Sequence, residues 1–460
     1  MISRRIYCNE YTPLLRELIN KVNNSKSKFI SPLSDYCYFN PKIEIPQFDD
    51  YDSVSFIPME AVSELTGQVE IITAYYKDVS KGFTKFAEGD LIWAKITPCM
   101  QNGKSAIVKG LINGVGFGST EFHVIRAKND SINIEFIREI LTLEEILNAF
   151  QGAFTGSAGQ QRVPDDFLAE FRFSIPPRKI QDDYVDKLKI ARKNKLLKEK
   201  QAEELLNGLN EYILAKLDMV KPTEERIRIF SRKRAETLNS RIDPHFHSPY
   251  FIKVFDTINK SKFVKQPLSN LLEDIAGGAT PKKGNADLYD SSGIKFLRIL
   301  NIKLNAIDLE DVKYIQSHVH NGELLRSQLR HDDVVMTITG RVGTAATIEE
   351  EILPANINQH LVRLRIKDQT CLPKYLSAYL NTSVGNAMTN KGVSGGTRIA
   401  VDYKWIGSLP IPIPPSEIQE AIIYEVESRK SESNRLKTEA ETEWQNAKKW
   451  FEEELLGCAK

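Results

Sequence analysis

The sequence predicts an α+β protein of two similar mixed α/β domains, each built on a twisted sheet, with two long coiled-coil-like helices and pseudo-twofold symmetry. Three observations predict it. The string FRFSIPPRKIQ (Phe171 to Gln181) returns 238 residues later as LPIPIPPSEIQ (Leu409 to Gln419). Each copy joins a region of short apolar runs and glycine-rich turns to a charged run with helical periodicity. Further matching strings precede both copies in the same order, and a period this long means domain duplication rather than a solenoid.

The strings place the elements in order. GDLIWAKIT (Gly89 to Thr97) parallels DDVVMTITG (Asp332 to Gly340), an acidic turn followed by a buried strand. GFGSTEFHVIR (Gly116 to Arg126) parallels ANINQHLVRLR (Ala355 to Arg365), a Gly- and Asn-rich segment feeding an apolar strand. TGSAGQQRV (Thr155 to Val163) and GVSGGTRIA (Gly392 to Ala400) are Gly-rich loops that end in arginine. The expected segments are a first domain over 1–176, a helix over 177–222, a second domain over 223–414 and a closing helix over 415–460.

Each charged run carries a seam. Tyr184, Leu188, Ala191, Lys195, Lys198, Ala202, Leu205, Leu209 and Tyr212 follow alternating spacings of four and three. Shifted by 238, the second run gives Ile422, Val426, Arg429, Ser433, Leu436, Ala440, Glu443, Ala447 and Trp450. Residues 178–200 hold nine Lys or Arg against four Asp or Glu, whereas the second run is rich in glutamate. Polar seam positions weaken a free-standing coil and a charge run can be only a solvated face, but opposite net charges favour pairing. Proline is tolerated at the first turn, so the first helix is expected from Arg178 to about Leu217, ended by Lys221-Pro222. That is roughly 60 Å, under two turns of B-DNA.

Composition bounds the function. With 460 residues and 41% hydrophobic content, the chain exceeds one ordinary core. No apolar run reaches the roughly 18 residues a membrane span needs, and MISRRIYCNEY lacks the apolar stretch of a signal peptide. Cys8, Cys37, Cys99, Cys371 and Cys458 have no CxxC spacing, which suits a reducing compartment, so a cytoplasmic address is expected. A net charge of +1 decides nothing about nucleic acid.

Catalytic constellations are incomplete. The Pro-Pro pairs read IPPR and IPPS, without the acid or amide and the aromatic that hold a target amine in amino methyltransferases. Gly103-Lys104-Ser105 lacks the phosphate-loop glycine, since Pro98 occupies its place and a strand is expected to follow. Gly114, Gly116 and Gly118 alternate ahead of a strand, wrong for a dinucleotide site. Asp165 and Asp166 precede FLAEF rather than a nuclease Glu-x-Lys, and are expected to cap a short helix after Pro164. His245-x-His247 and His318-x-His320 would put two imidazoles on one side of a strand, but two ligands do not complete a zinc site. In RIDPHFHSPYF (Arg241 to Phe251) the aromatics are expected to anchor a first turn to the core, leaving the histidines on the surface.

The chain closely resembles the specificity subunit of Type I restriction-modification systems. VSFIPMEAVSE (Val54 to Glu64), the span from Gly89 to Arg126 and TGSAGQQRVPDDFL (Thr155 to Leu168) are similar to one class of target recognition domain in that family. GGATPKKGNADLY (Gly277 to Tyr289) and GIKFLRILNIK (Gly293 to Lys303) are similar to another. The IPP…IQ strings resemble its domain-to-helix joints. The resemblance runs from about Val54 to the C-terminus, and the first ~45 residues read as an unmatched N-terminal extension. It implies a non-catalytic reader of double-stranded DNA with a bipartite site, whose antiparallel helices set the spacer and dock two modification subunits. Those partners would bring S-adenosylmethionine, and two restriction subunits would bring ATP and Mg; no cofactor is expected in this chain, and no membrane partner. The alternative is a duplicated protein-interaction scaffold without DNA specificity.

Reading bases needs amides and guanidinium groups on loops of small residues that approach the major groove closely. The candidates are Gln101, Asn102, Lys104, Ser119, Thr155, Gln160, Gln161 and Arg162 in the first domain. In the second they are Lys282, Lys283, Asn285, Arg298, Asn301, Arg341, Asn358, Gln359, Ser394, Thr397 and Arg398. Against each stands the ordinary alternative of a polar turn between strands. For partner docking the candidates are Tyr184, Leu188, Ala191, Leu205, Leu209, Tyr212, Ile422, Val426, Leu436, Ala440, Ala447 and Trp450.

Overall fold

A computed structural model describes residues 12–24, 29–64, 66–156, 160–223, 227, 229–233, 237, 241–281, 288–395 and 399–457. The chain divides into two compact units, Met1–Glu199 with Lys437–Lys460 and Lys200–Leu436.

In the first unit, helix α1 (Pro13–Asn23) starts at Thr12, whose Oγ1 accepts from Leu15 N at 3.4 Å, and buries Leu15, Leu18 and Val22. Strands β1 (Ile30–Pro32) and β2 (Cys37–Phe39) follow, then β3 (Ser53–Ile57), β4 (Ile72–Tyr75), α2 (Tyr76–Val79), β5 (Thr84–Ala87) and β6 (Leu91–Ala94). Next come β7 (Ser105–Ile107), β8 (Val115–Gly118), β9 (Phe122–Ala127), α3 (Ile134–Leu141), α4 (Glu144–Phe150), α5 (Asp165–Glu170) and β10 (Arg172–Ser174). One sheet has the order β2-β9-β6-β7, the other β4-β3-β8-β5 with β3 parallel to β8, and β1 pairs with β10. Gly116 and Gly118 lie within β8, where a Cβ would run into Phe86, so these glycines serve packing of that ring. Asp165 and Asp166 sit in the first turn of α5, where their carboxylates accept from the amides of Asp166 and Phe167.

The second unit repeats this plan. Helix α6 (Arg178–Asn207), which belongs to the first unit up to Glu199 and to the second from Lys200, and α7 (Leu209–Lys216) lead to α8 (Pro249–Lys260), β11 (Val264–Pro267), β12 (Leu272–Gly277), β13 (Tyr289–Asp290), β14 (Ile294–Leu297), β15 (Ile302–Lys303), β16 (Ala306–Ile307), β17 (Lys313–Ile315) and α9 (Ser317–Asn321). Strands β18 (Val334–Thr337), β19 (Ala345–Thr347), β20 (Ala355–Ile357) and β21 (Leu361–Ile366), helices α10 (Pro373–Leu380), α11 (Ser383–Lys391) and α12 (Tyr403–Gly407), strand β22 (Pro410–Ile413) and helix α13 (Ser416–Leu456) complete it. The sheets have the orders β12-β21-β18-β19 and β13-β17-β14-β20, with β14 parallel to β20, and β11 pairs with β22.

Matched polar interactions fix both copies. Arg126 grips Asp90 through Nε (2.6 Å) and Nη2 (2.8 Å), and Arg365 grips Asp333 through the same atoms at 2.8 Å each. The two IPP…IQ strings end in buried glutamines. Gln181 Nε2 donates to Pro176 O (2.7 Å) and Ser131 O (3.1 Å) while its Oε1 accepts from Asn133 N (2.7 Å). Gln419 Nε2 donates to Pro414 O and Thr370 O, both 3.0 Å, and Oε1 accepts from Leu372 N (2.9 Å). A glutamine amide carries both the donors and the acceptor this joint needs. Beside each joint lies an ion triad on equivalent positions with inverted charge. Lys109 (3.7 Å) and Lys189 flank Glu135 in one unit, and Glu349 (2.8 Å) and Glu427 (2.5 Å) flank Lys374 in the other.

Four expectations change. The first ~45 residues are not unmatched: α1, β1 and β2 stand where α8, β11 and β12 stand in the second unit. The repeat is written as Ile19-Asn20-Lys21, Ser27-Lys28-Phe29 and Pro32-Leu33-Ser34 against Ile258-Asn259-Lys260, Ser261-Lys262-Phe263 and Pro267-Leu268-Ser269. The first long helix begins at Arg178 but is interrupted at Gly208, where a Cβ would crowd Arg429. Within the first unit, Glu443 is exposed and Trp444 takes its seam place, because a 3.6-residue helix drifts against a 3.5-residue seam and the adjoining core accepts the indole. Neither histidine pair lies on a strand: His245 and His247 are in a turn, and His318 and His320 are in α9, where a two-residue spacing does not put side chains together. His245 edges against Phe251 (5.0 Å) and Phe246 against Trp405 (5.3 Å), the anchoring expected of that turn's aromatics.

The helices pair antiparallel within each unit. In the first, Lys195 meets Glu441 (2.5 Å), Lys198 meets Glu443 (2.7 Å) and Glu439 (3.3 Å), and Tyr184 packs edge-on against Trp450 and bonds Glu454 (3.1 Å). In the second, Ser433 Oγ donates to Ala202 O (3.0 Å) and Tyr212 OH to Ala421 O (3.5 Å). Tyr184, Leu188, Ala191, Leu205, Leu209, Tyr212, Ile422, Val426, Leu436, Ala440, Ala447 and Trp450 are all buried or half-buried.

Replacing Gln181 by Leu should cost about 2–4 kcal/mol in urea unfolding, because two carbonyls and an amide lose their buried partner. Lys179→Ala, on the exposed surface beside it, should stay within about 0.5 kcal/mol.

Candidate nucleic-acid interface

In the first unit three loops meet at one end of the β2-β9-β6-β7 sheet. They are the turn after β6, the loop joining β8 to β9, and a hairpin closed by the Thr155–Arg162 bridge. Thr97 N donates to Gln161 O and Val163 N to Lys95 O, both at 3.0 Å, so the hairpin is stitched to the β6 turn. Arg162 then closes on the third loop, with Nε to Glu121 Oε2 (2.8 Å) and Nη2 to Oε1 (2.7 Å). The bidentate Arg162 guanidinium holds the Glu121 carboxyl below its ordinary pKa, outweighing the opposing effect of burial. Beneath them His123 Nε2 donates to Val163 O (2.8 Å), and burial lowers the pKa of the imidazole.

The second unit builds the same constellation. A hairpin closed by Ser394 and Ala400 is bridged to Thr339, and Val401 N donates to Ile338 O (3.1 Å), the counterpart of the Val163 bond. The loop between β20 and β21 carries Asn358, Gln359 and His360. His360 Nδ1 meets Thr339 Oγ1 (2.9 Å) and Nε2 meets Gln359 Nε2 (3.2 Å). Gly278 and Ala279 run along this loop through bonds to Leu361 O (3.0 Å) and Ile357 O (3.2 Å), and Thr280 bonds Gln359.

The candidate side chains sort into three groups. Gln101, Asn102, Thr155, Gln160, Arg341, Gln359 and Ser394 are exposed on these loops. Gln101 and Asn102 also bond Gln151 (3.0 Å) and Glu64 (2.9 Å), and half-buried Lys104 bonds Met59 O (3.4 Å). Gln161 and Ser119 are half-buried, and Ser119 Oγ accepts from Glu121 N (3.2 Å). A second group is spent on the fold. Asn301 is buried, accepting from Arg298 N (2.9 Å) and donating to Asp308 O (2.9 Å); Asn358 is buried and accepts from His360 N (3.2 Å); Arg298 is tied to Asp311 (3.0 Å). Lys282, Lys283, Asn285, Thr397 and Arg398 lie outside the described residues.

The two loops ending in arginine are not aligned arginine on arginine. Register from the bridges makes Ala400 the counterpart of Arg162, and His360 the counterpart of Glu121. Glu121 and His360 were missed as candidates, although the paired strings Gly116 to Arg126 and Ala355 to Arg365 already align them. Among the described residues no group of three or more His, Cys, Asp or Glu could hold a metal. No described helix is long and apolar enough to cross a membrane.

A family model described as the Type I restriction modification DNA specificity domain matches the chain twice, over residues 31–207 and 261–439. The first match opens within β1 and the second just before β11, and both close in a long helix. The chain is 26% identical over 457 residues to the Type I restriction enzyme EcoEI specificity subunit of Escherichia coli, covering 86% of this chain and 76% of that protein. It is 43% identical over 144 residues to the EcoAI specificity subunit of Escherichia coli, covering 31% and 24%. A chain solved in a study of complex assembly and conformational transition of the type I R-M system shares the fold, with a TM-score of 0.58 and 17% identity over 93% of this chain and 96% of that one.

Because Glu121 titrates below the usual carboxylate range, the pair with Arg162 is intact at neutral pH and is lost only as acid protonates the depressed carboxyl. In Glu121→Gln, the amides of Thr155 and Arg162 should exchange faster at neutral pH, whereas the wild type stays protected until the pH falls below the ordinary glutamate range. Hydrogen exchange read by NMR checks this.

Proposed function

That the chain belongs to the Type I restriction-modification DNA specificity family is the premise from which we propose that it reads a bipartite DNA target, one half-site per unit. The observation that carries this reading is the repetition of one three-loop end on two units with unlike side chains. One presents Gln101, Asn102, Gln160 and a tethered Arg162; the other presents Arg341, Gln359 and Ser394. Amides pair with adenine edges and guanidinium with guanine, so unlike sets select unlike half-sites. The exposed polar loops approach the bases, while Lys and Arg on and beside them bind phosphates and fix register.

The recognition domains in this reading are 1–176 and 223–414. The antiparallel helices set the distance between half-sites and present docking surfaces to two modification subunits. Those subunits supply S-adenosylmethionine and methyl transfer, and restriction subunits supply ATP-driven cleavage. This chain contributes the address and no chemistry, and works in the cytoplasm, where the DNA is.

Substituting Gln160 and Gln161 by Ala should relax base preference in the first half-site by about 1–3 kcal/mol per lost contact and leave the second unchanged. Equal loss in both halves would count against independent readers. A three-residue insertion beside Lys198, with a matching insertion beside Glu439, should change the preferred spacer length and neither half-site. An unchanged spacer would remove the ruler from the account.

A further inference from the structure

In each unit a polar chain runs from one position on the long helix to the turn that carries the candidate readers. In the first, Arg192 Nη2 on α6 donates to both oxygens of Glu139 (2.7 and 2.9 Å). Arg138 Nη1 donates to the same carboxylate (2.9 Å), and Arg138 Nε reaches Ser105 O (3.4 Å). Ser105 closes the turn that bears Gln101, Asn102 and Lys104, and its Oγ donates to Gly103 O (3.1 Å). Arg138 also underlies Gly67, where any Cβ would strike its guanidinium, so the neighbouring loop with Glu64, the partner of Asn102, rests on the same group.

In the second unit the start and end points are equivalent but the chemistry differs. Lys430 on α13, 238 positions after Arg192, bonds Asn305 O. Asn305 Oδ1 accepts from Asn381 Nδ2 (2.7 Å), and Asn381 bonds both Ala345 O (2.7 Å) and Ala345 N (2.9 Å). Ala345 opens β19 as Ser105 opens β7, and closes the turn that presents Arg341. Charged Arg-Glu-Arg in one unit and Lys-Asn-Asn in the other span the same two points. Buried polar groups hold geometry stringently because an unpaired member is costly.

We propose that Arg192 and Lys430 are positioning residues for DNA reading, each tying its long helix to its own unit's reader turn so that the helix fixes where the base-contacting side chains stand. This rests on the reading proposed above and adds what holds the readers in place. Neither residue touches DNA in this account. Both act through these polar chains, buried at Arg138 and Glu139 and half-buried at Lys430, Asn305 and Asn381, and a load on either helix is felt at one half-site only.

The test is selection of duplexes from libraries randomised in one half-site at a time, by the full chain coexpressed with its modification subunits. Arg192→Met should flatten base discrimination about tenfold in the first half-site and leave the second at its wild-type value, which also reports that the protein is folded. Lys430→Met should do the reverse, and Lys430→Arg should restore discrimination. Should Arg192→Met fail to fold, Glu139→Gln, which keeps the shape and removes the charge, takes its place with the same expected outcome. Unchanged discrimination in both halves, or equal flattening of both by one substitution, overturns the positioning role. A wild-type complex that selects no two-part sequence overturns the underlying reading instead.

Discussion

The joint between each domain and its helix rests on one buried amide. Gln181 and Gln419 each turn a Pro-Pro exit into a defined direction by bonding backbone groups from the preceding loop and from the exit itself. An amide inserted among unpaired carbonyls and an N–H cannot be replaced without leaving several groups unsatisfied. That is a stronger constraint than the apolar packing beside it, where shapes of similar volume are tolerated. Once the exit direction is fixed, positions such as Arg192 and Lys430 can be tied to the loops above them.

Duplication preserved the frame and released the chemistry. The Arg126–Asp90 and Arg365–Asp333 grips are alike in partners and atoms. The triads around Glu135 and Lys374 keep their positions and invert their signs, which preserves attraction within each joint. At the loop ends the divergence is greater: the Arg162–Glu121 pair stands where the other unit has Ala400 and His360. A frame held by matched polar joints can carry loops that differ freely, which suits the proposed reading of two unlike half-sites.

The frame was legible in the sequence because its demands are chemical and local. IPP…IQ repeats since only glutamine serves the joint, and the strings around β9 and β21 repeat since both strands are buried. The first ~45 residues escaped notice for a simple reason. Ile19-Asn20-Lys21 and Ser27-Lys28-Phe29 are separated by five residues that Ile258-Asn259-Lys260 and Ser261-Lys262-Phe263 lack, so a fixed offset breaks. Asn301 and Asn358 looked like readers because composition does not distinguish an amide facing solvent from one closing a turn. The Arg192–Glu139–Arg138 chain was hidden altogether: its counterpart in the second unit shares its two end points but no residue type.

Two independent readers joined by a fixed helical distance are the core of the proposed function. Mapping methylated bases across the host genome, with the chain present and with its gene deleted, tests that directly. The predicted result is a single motif of two unlike defined blocks around an undefined gap of constant length, lost on deletion. One continuous block, or a methylation pattern indifferent to the chain, would contradict it.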